Sequence, residues 1–217
     1  FMKKGGSMKP ILFNTDMVRA ILEDRKTTTR RAIKPQPDKE HKHKFGFCVD
    51  SDRKNIGKFG FGTGEEGGNI FYAKPPCRIG DVLYVRETWA QPAKHTYWYK
   101  ADNKHQNMLW RPSIHMPKEA ARIFLEVTDV RVERLQDITE AQAIQEGTPY
   151  EMCGGWKPTY SDPDSGGPEP DFINGFARLW DSTIQKSQLD QYGWEANPWV
   201  WVIEFKRTEK PEREDQE

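Results

Sequence analysis

The chain has 217 residues and a mass of 25.3 kDa, with 35% hydrophobic and 30% charged side chains, enough for one large or two small domains on the polar side of the globular range. Its 33 basic and 33 acidic residues cancel, which argues against coating a long polyanion. No apolar run approaches the ~18 residues of a spanning helix and no secretory signal opens the chain, so a cytoplasmic protein without a membrane partner is expected.

In chain order, residues 1–7 read as an expression scar before a start at Met8. Ile11 to Phe13 suits a short strand, and Asn14 or Thr15 can cap a helix in which Met17, Val18, Ile21 and Leu22 recur at helical spacing. That helix must stop near Asp24, because the threonines of Arg25-Lys26-Thr27-Thr28-Thr29-Arg30-Arg31 favour a strand. From Pro35 to Pro76 the sequence is polar and rich in glycine, which predicts a long loop or flexible hairpin with little apolar surface to bury. Gly80-Asp81 then signals a turn into a core strand, Val82 to Val85. Tyr97-Trp98-Tyr99 suits an extra hairpin strand, and Trp110 to Pro117 an irregular aromatic loop.

Ala121 to Leu135 carries the longest β signal. Ile123, Leu125 and Val127 alternate, but Val130 and Val132 have the opposite parity, so one extra residue is expected at Thr128-Asp129. Thr139 and Gln142 form a capping-box pattern that opens a helix for Gly147 to close. A second insert, 148–170, precedes an amphipathic helix carrying Phe172, Phe176, Leu179 and Trp180 on one face. Trp199 to Phe205 makes a closing strand, and the acidic tail 208–217 is expected to be disordered. The sum is an α+β fold: one domain over 8–207, a partly open mixed β-barrel with short flanking helices and long inserted loops at 35–76 and 148–170.

Cys48, Cys77 and Cys153 lie too far apart for a zinc motif, and the odd count suits reduced thiols; no metal or cofactor motif emerges. The basic run at the helix-to-strand junction offers Arg25, Arg30 and Arg31 as phosphate contacts, with a solvated strand edge as the equally weighted alternative. Arg86-Glu87-Thr88-Trp89, just past a strand end, could line a binding mouth or form a salt bridge beside a core tryptophan. Eight Trp, seven Tyr and eleven Phe are a heavy load for so polar a chain. Trp98 and Trp110, in predicted loops, are the better candidates for stacking on a base. Lys26 and Thr29 would form a nucleophile set only if the turn after the helix brought them together and a carboxylate such as Glu146 oriented the lysine.

The order of Arg25-Lys26-Thr27-x-Thr29-x-Arg31, Gly80-Asp81-Val82-Leu83, the Thr139 to Gly147 helix and the final Trp-rich strand resembles the ASCH domain family. More narrowly, Arg86 to Trp89, Trp110 to Pro117 and Asn197 to Val202 are similar to segments of its larger phage- and prophage-encoded members. The resemblance covers most of Met8 to Arg207 and implies a PUA-like barrel used for RNA or modified-nucleotide recognition. Small bacterial members deacylate N4-acetylcytidine with a lysine, a threonine and a glutamate. Carried over by motif, these are Lys26, Thr29 and Glu146. Asp24 stands where the family usually has glycine, and aspartate tolerates a left-handed helix end.

Three functions follow as expectations. The first is a binding module for RNA, DNA or a modified nucleoside, with Arg25, Arg30, Arg31, Arg86 and Glu87 as polar contacts and Trp89 or Trp110 stacking. The second is an amidohydrolase using Lys26, Thr29 and Glu146. The third is a phage accessory factor that binds a host protein through its aromatic loops.

Overall fold

The spine of the molecule is a pair of long antiparallel strands, β9 (Phe124–Arg134) and β10 (Trp199–Thr208). They sit inside a mixed five-stranded sheet ordered β1-β6-β9-β10-β2, in which β1 (Lys9–Leu12) runs parallel to β6 (Val82–Arg86) and β2 (Thr28–Ala32) is antiparallel to β10. This computed structural model describes residues 8–49, 53–102, 104, 107–154 and 170–211. The expected N-terminal scar, most of the second insert and the end of the acidic tail lie outside the described residues.

The parity switch in β9 has the expected cause. Glu204 pairs with Asp129 and Phe205 with Val127, so Thr128 is an extra, exposed residue without a partner across the ladder. One extra residue turns the later side chains over, and Leu125, Val127, Val130 and Val132 therefore all enter the same core cluster. In β10, Trp199, Trp201, Ile203 and Phe205 face that cluster, while Val200 and Val202 face a second one. Burial on both faces explains why β10 reads as a continuous apolar run.

Against the first face packs α1 (Thr15–Leu22), through Val18 and Ile21. Its N-cap is Asn14, whose Oδ1 accepts from the Met17 N–H at 2.8 Å. The chain leaves α1 through Asp24 at φ 57°, the left-handed conformation expected at that position. Against the second face pack α2 (Glu140–Gln145) and α3 (Phe172–Thr183), the latter through Phe176 and Trp180; a short α4 (Leu189–Tyr192) follows. The Thr139–Gln142 capping box is formed, and Gly147 follows at φ 76°.

The glycine-rich segment departs from expectation. It forms a three-stranded antiparallel sheet, β3 (His43–Phe47), β4 (Phe59–Gly64) and β5 (Gly67–Ala73), and it contributes to the main core. In Phe59-Gly60-Phe61-Gly62 the phenylalanines recur every second residue, so both enter one face. Phe61 is fully buried with its ring centroid 5.3 Å from that of Trp199, and Phe59 meets Trp201 edge-on at 6.3 Å.

A separate hairpin, β7 (Trp89–Ala93) with β8 (Thr96–Tyr99), covers a third cluster containing Trp89, Met116 and Phe124. The architecture is therefore α+β, mostly sheet with short helices. The sheets do not close into a barrel: β1 and β2 end the five-stranded sheet without pairing with each other. Among the described residues no helix is long and apolar enough to cross a membrane.

Candidate active and ligand-binding site

Lys26 is placed by three backbone contacts. After the left-handed turn at Asp24, the Arg25 and Lys26 N–H groups both donate to the Ala20 carbonyl, at 2.8 and 3.0 Å, which turns the chain back under α1. The Thr27 N–H then donates to Gln145 O at 2.9 Å and docks the end of α2 beside β2. Gly147 makes this approach tolerable, since a Cβ there would lie 2.8 Å from Ala20 Cβ and 2.9 Å from Lys26 Cβ.

Glu146, at the end of α2, therefore meets Lys26. Lys26 Nζ donates to Glu146 Oε2 at 2.8 Å, to Glu146 O at 2.7 Å and to Thr28 O at 2.7 Å, so all three ammonium donors are used. The Lys26 side chain has no solvent exposure and that of Glu146 only 3%. Burial pushes the Lys26 pKa below its ordinary value, with the Arg31 and Arg30 charges acting the same way, while the Glu146 carboxylate opposes them.

Arg30 continues the ion cluster. It donates to Glu146 Oε1 at 3.1 Å, Glu133 Oε2 at 3.0 Å and Gln142 Oε1 at 2.9 Å, with its side chain fully buried. Glu133 in turn accepts from Arg131 at 2.6 Å, and Arg131 also contacts Asp129 at 3.0 Å and Glu204 at 2.5 Å. Opposite charges thus alternate from the interior to the sheet surface. Both terminal nitrogens of Arg30 are committed to these partners and its side chain has no exposure, so it does not present the phosphate contact expected of it; its Nε is buried without a hydrogen-bond partner among the described residues.

Arg31 points the other way, as strand alternation requires. It is partly buried, its Nη2 donates to Leu12 O at 2.8 Å, and its guanidinium carbon stands 5.3 Å from the Phe13 ring centre. A side chain of β2 thereby spans the gap to β1 that no backbone ladder fills. In that gap is a cleft of about 240 Å³ lined by Arg31, Lys9, Leu12, Cys77 and Ile203. Arg31 has no carboxylate partner among the described residues, and burial lowers its pKa against the raising effect of Glu146. Thr29 lies on the same strand face, opposite Ile203. It is buried, and its hydroxyl makes no hydrogen bond among the described residues.

The other expected contacts are distributed differently. Arg25 is exposed and held by Glu23 at 2.6 Å. Arg86 is partly buried and donates to Ile114 O. Glu87 is 1% exposed and takes a two-pronged bond from Arg122 at 2.9 and 3.0 Å, so it is a structural ion pair rather than a ligand contact. Trp89 is core, 3% exposed, with the Arg111 guanidinium 5.2 Å over its ring where a base would have to stack. Trp110 is partly buried. Lys9 and Cys77 were not anticipated in the cleft. The parallel pairing of β1 with β6 brings Lys9 there, and its ammonium bonds Asp81 at 2.7 Å.

No group of three or more His, Cys, Asp or Glu able to hold a metal ion occurs among the described residues. Comparison of the chain with protein-family models, with curated proteins and with solved structures finds no significant match.

Proposed function

We propose that the chain is a PUA-like nucleotide-binding module whose cleft between β1 and β2 takes one base or nucleotide of RNA or DNA, or a modified nucleoside. The observation that carries this reading is Arg31: a guanidinium partly withdrawn from water, without a carboxylate partner among the described residues, in a cleft that also presents Lys9. Such a group gains most from an anionic or carbonyl oxygen. The cleft is smaller than the ~300–1,000 Å³ of pockets for drug-sized ligands, which suits a single base more than a long polymer. The test is a fluorescence-anisotropy titration of labelled short oligonucleotides at several salt concentrations. Arg31→Met should weaken binding about tenfold and reduce the salt slope by the ~0.7 expected for one single-strand phosphate contact. Unchanged affinity and slope remove Arg31 from the site.

The Lys26–Glu146 contact supports a second reading, hydrolysis of an N4-acylcytosine. This reading requires Lys26 to give up a proton, and with it one of its three donated bonds, before it can take one from Thr29 or from a water held by Thr29 as that oxygen attacks the amide carbon; the lowering of its pKa by burial acts in that direction. The same proton would then go to the departing exocyclic amine as the C–N bond breaks, releasing cytosine; water attacking directly gives the carboxylate at once, whereas attack by Thr29 leaves an acyl ester that water hydrolyses, one water proton returning to the Thr29 oxygen as the carboxylate departs. Wild-type protein should release acetate from N4-acetylcytidine, with Thr29→Val and Lys26→Ala about 10²–10⁴-fold slower. Equal rates for Lys26→Ala and wild type eliminate this mechanism.

A further inference from the structure

Where β3 and the turn after it meet Val130 of β9, the fold leaves an apolar pocket of about 410 Å³, walled by Phe47, Val49, Ile56, Ile79 and Val130. Single exposed apolar residues are ordinary on a protein surface. Here Val49 is 78% exposed, Ile79 66% and Ile56 48%, and all three border one pocket. A concentration of this kind marks a binding surface.

Among the described residues a single cation, Arg78, lines the same pocket. The Arg78 guanidinium lies against the Gly57 backbone, since a Cβ at position 57 would fall 3.2 Å from Arg78 Nη2 and 3.6 Å from Cζ. Gly57 has φ +77°, so both its conformation and this close approach favour glycine. The Arg78 side chain has no hydrogen bond or ion pair among the described residues, although its charge helps to lower the Asp81 pKa; its backbone N–H donates to the Asp81 carboxylate at 2.9 Å and its carbonyl accepts from the Asp81 N–H at 3.0 Å. The Asp81 carboxylate oxygen that accepts this bond is also the one held by Lys9. Among the described residues no carboxylate lines the pocket.

We propose that this pocket binds a small amphiphilic anion, an aliphatic carboxylate whose chain fills the apolar space and whose head pairs with Arg78. The volume falls within the ~300–1,000 Å³ of small-molecule sites, and apolar walls with one charged group at the edge are their usual make-up. A forked guanidinium is the natural partner for a carboxylate. The site is distinct from the Arg31 cleft, although Cys77 borders both. Cys48, partly exposed, lines it as well and gives a chemical reporter.

The experiment titrates the full chain with hexanoate, octanoate and octanol, reading calorimetric heats, methyl NMR shifts and the rate of Cys48 alkylation. Each buried methylene contributes about fourfold in affinity, so octanoate should bind about 15-fold tighter than hexanoate. Octanoate should also bind about tenfold tighter than octanol, move the Val130 and Ile56 methyl signals and slow alkylation of Cys48. Arg78 is exposed, so Arg78→Gln should fold normally, and it should bind octanoate and octanol equally. Equal affinity of wild type for octanoate and octanol overturns the proposal. So does an unchanged preference in Arg78→Gln, or a response confined to Leu109 and Ile114, the exposed apolar side chains of another loop.

Discussion

Replacing Glu146 by Gln changes one buried charge and almost no volume. Lys26, with no exposure, loses the carboxylate at 2.8 Å that balances it, whereas Arg30 loses one contact at 3.1 Å and keeps Glu133 and Gln142. Removing one partner of a buried pair costs ~3–5 kcal/mol because the other charge is left uncompensated. Arg30 retains a carboxylate, which puts the expected cost near the lower end, about 3 kcal/mol. With a urea m-value of about 2 kcal/mol/M, the unfolding midpoint at pH 7 should fall by about 1.5 M. Adding Lys26→Met to this variant should recover most of the loss, since it removes the stranded charge. The pH dependence has a fixed sign. Lys26 already has a depressed pKa in the folded state, and the loss of Glu146 depresses it further. Over the interval below the ordinary lysine value of about 10.4, the unfolded chain then binds more protons, so stability rises with pH and the gap to wild type narrows. A midpoint shift under about 0.5 M, or a gap that stays constant from about pH 7 to 10, would falsify the claim that Glu146 neutralises a buried ammonium.

Phe61→Ala, in the segment whose composition predicts a loop, should destabilise the whole protein by about 3–5 kcal/mol in a single cooperative transition. Loss of the three-stranded sheet alone, with the tryptophan signal of β10 unmoved, would show that the insert is not part of the core. Arg122→Met strands the Glu87 carboxylate, whose pKa burial already raises. The cost, about 3 kcal/mol at neutral pH, should shrink as the pH falls and Glu87 takes up a proton; chemical denaturation at about pH 4 and 7 should differ by at least 1 kcal/mol if this holds.

Features controlled by neighbours in sequence were the legible ones. The Thr128 insertion, the Thr139–Gln142 box and the left-handed Asp24 each depend on a few adjacent residues, and each stands where the residue pattern places it. Lys26 and Glu146, 120 positions apart, were linked by a family resemblance, and their contact depends on α2 docking against β2. In the insert glycine content and period point opposite ways, and the fold follows the period: Phe59 and Phe61 alternate with glycine as a half-buried strand does. Strand alternation also separates Arg30 from Arg31, a distinction that a count of positive charges misses. Trp89 illustrates the reverse difficulty. A ring at a strand end has the same sequence context in a core as in a pocket, and only the tertiary position of Arg111 settles which face is covered.

The run of charges from Lys26 through Glu146, Arg30, Glu133 and Arg131 to Asp129 and Glu204 has a consequence for how the protein tolerates change. Side-chain exposure rises along it, from none at Lys26 and Arg30 to 19% at Glu133, 30% at Arg131 and 40% at Asp129 and Glu204. At the outer end, water and a second carboxylate can take over when one partner is lost; at the inner end nothing can. Substitutions along this single line should therefore range from nearly silent at Glu204 to disabling at Lys26, and adjacent pairs should depart from additivity in proportion to their depth.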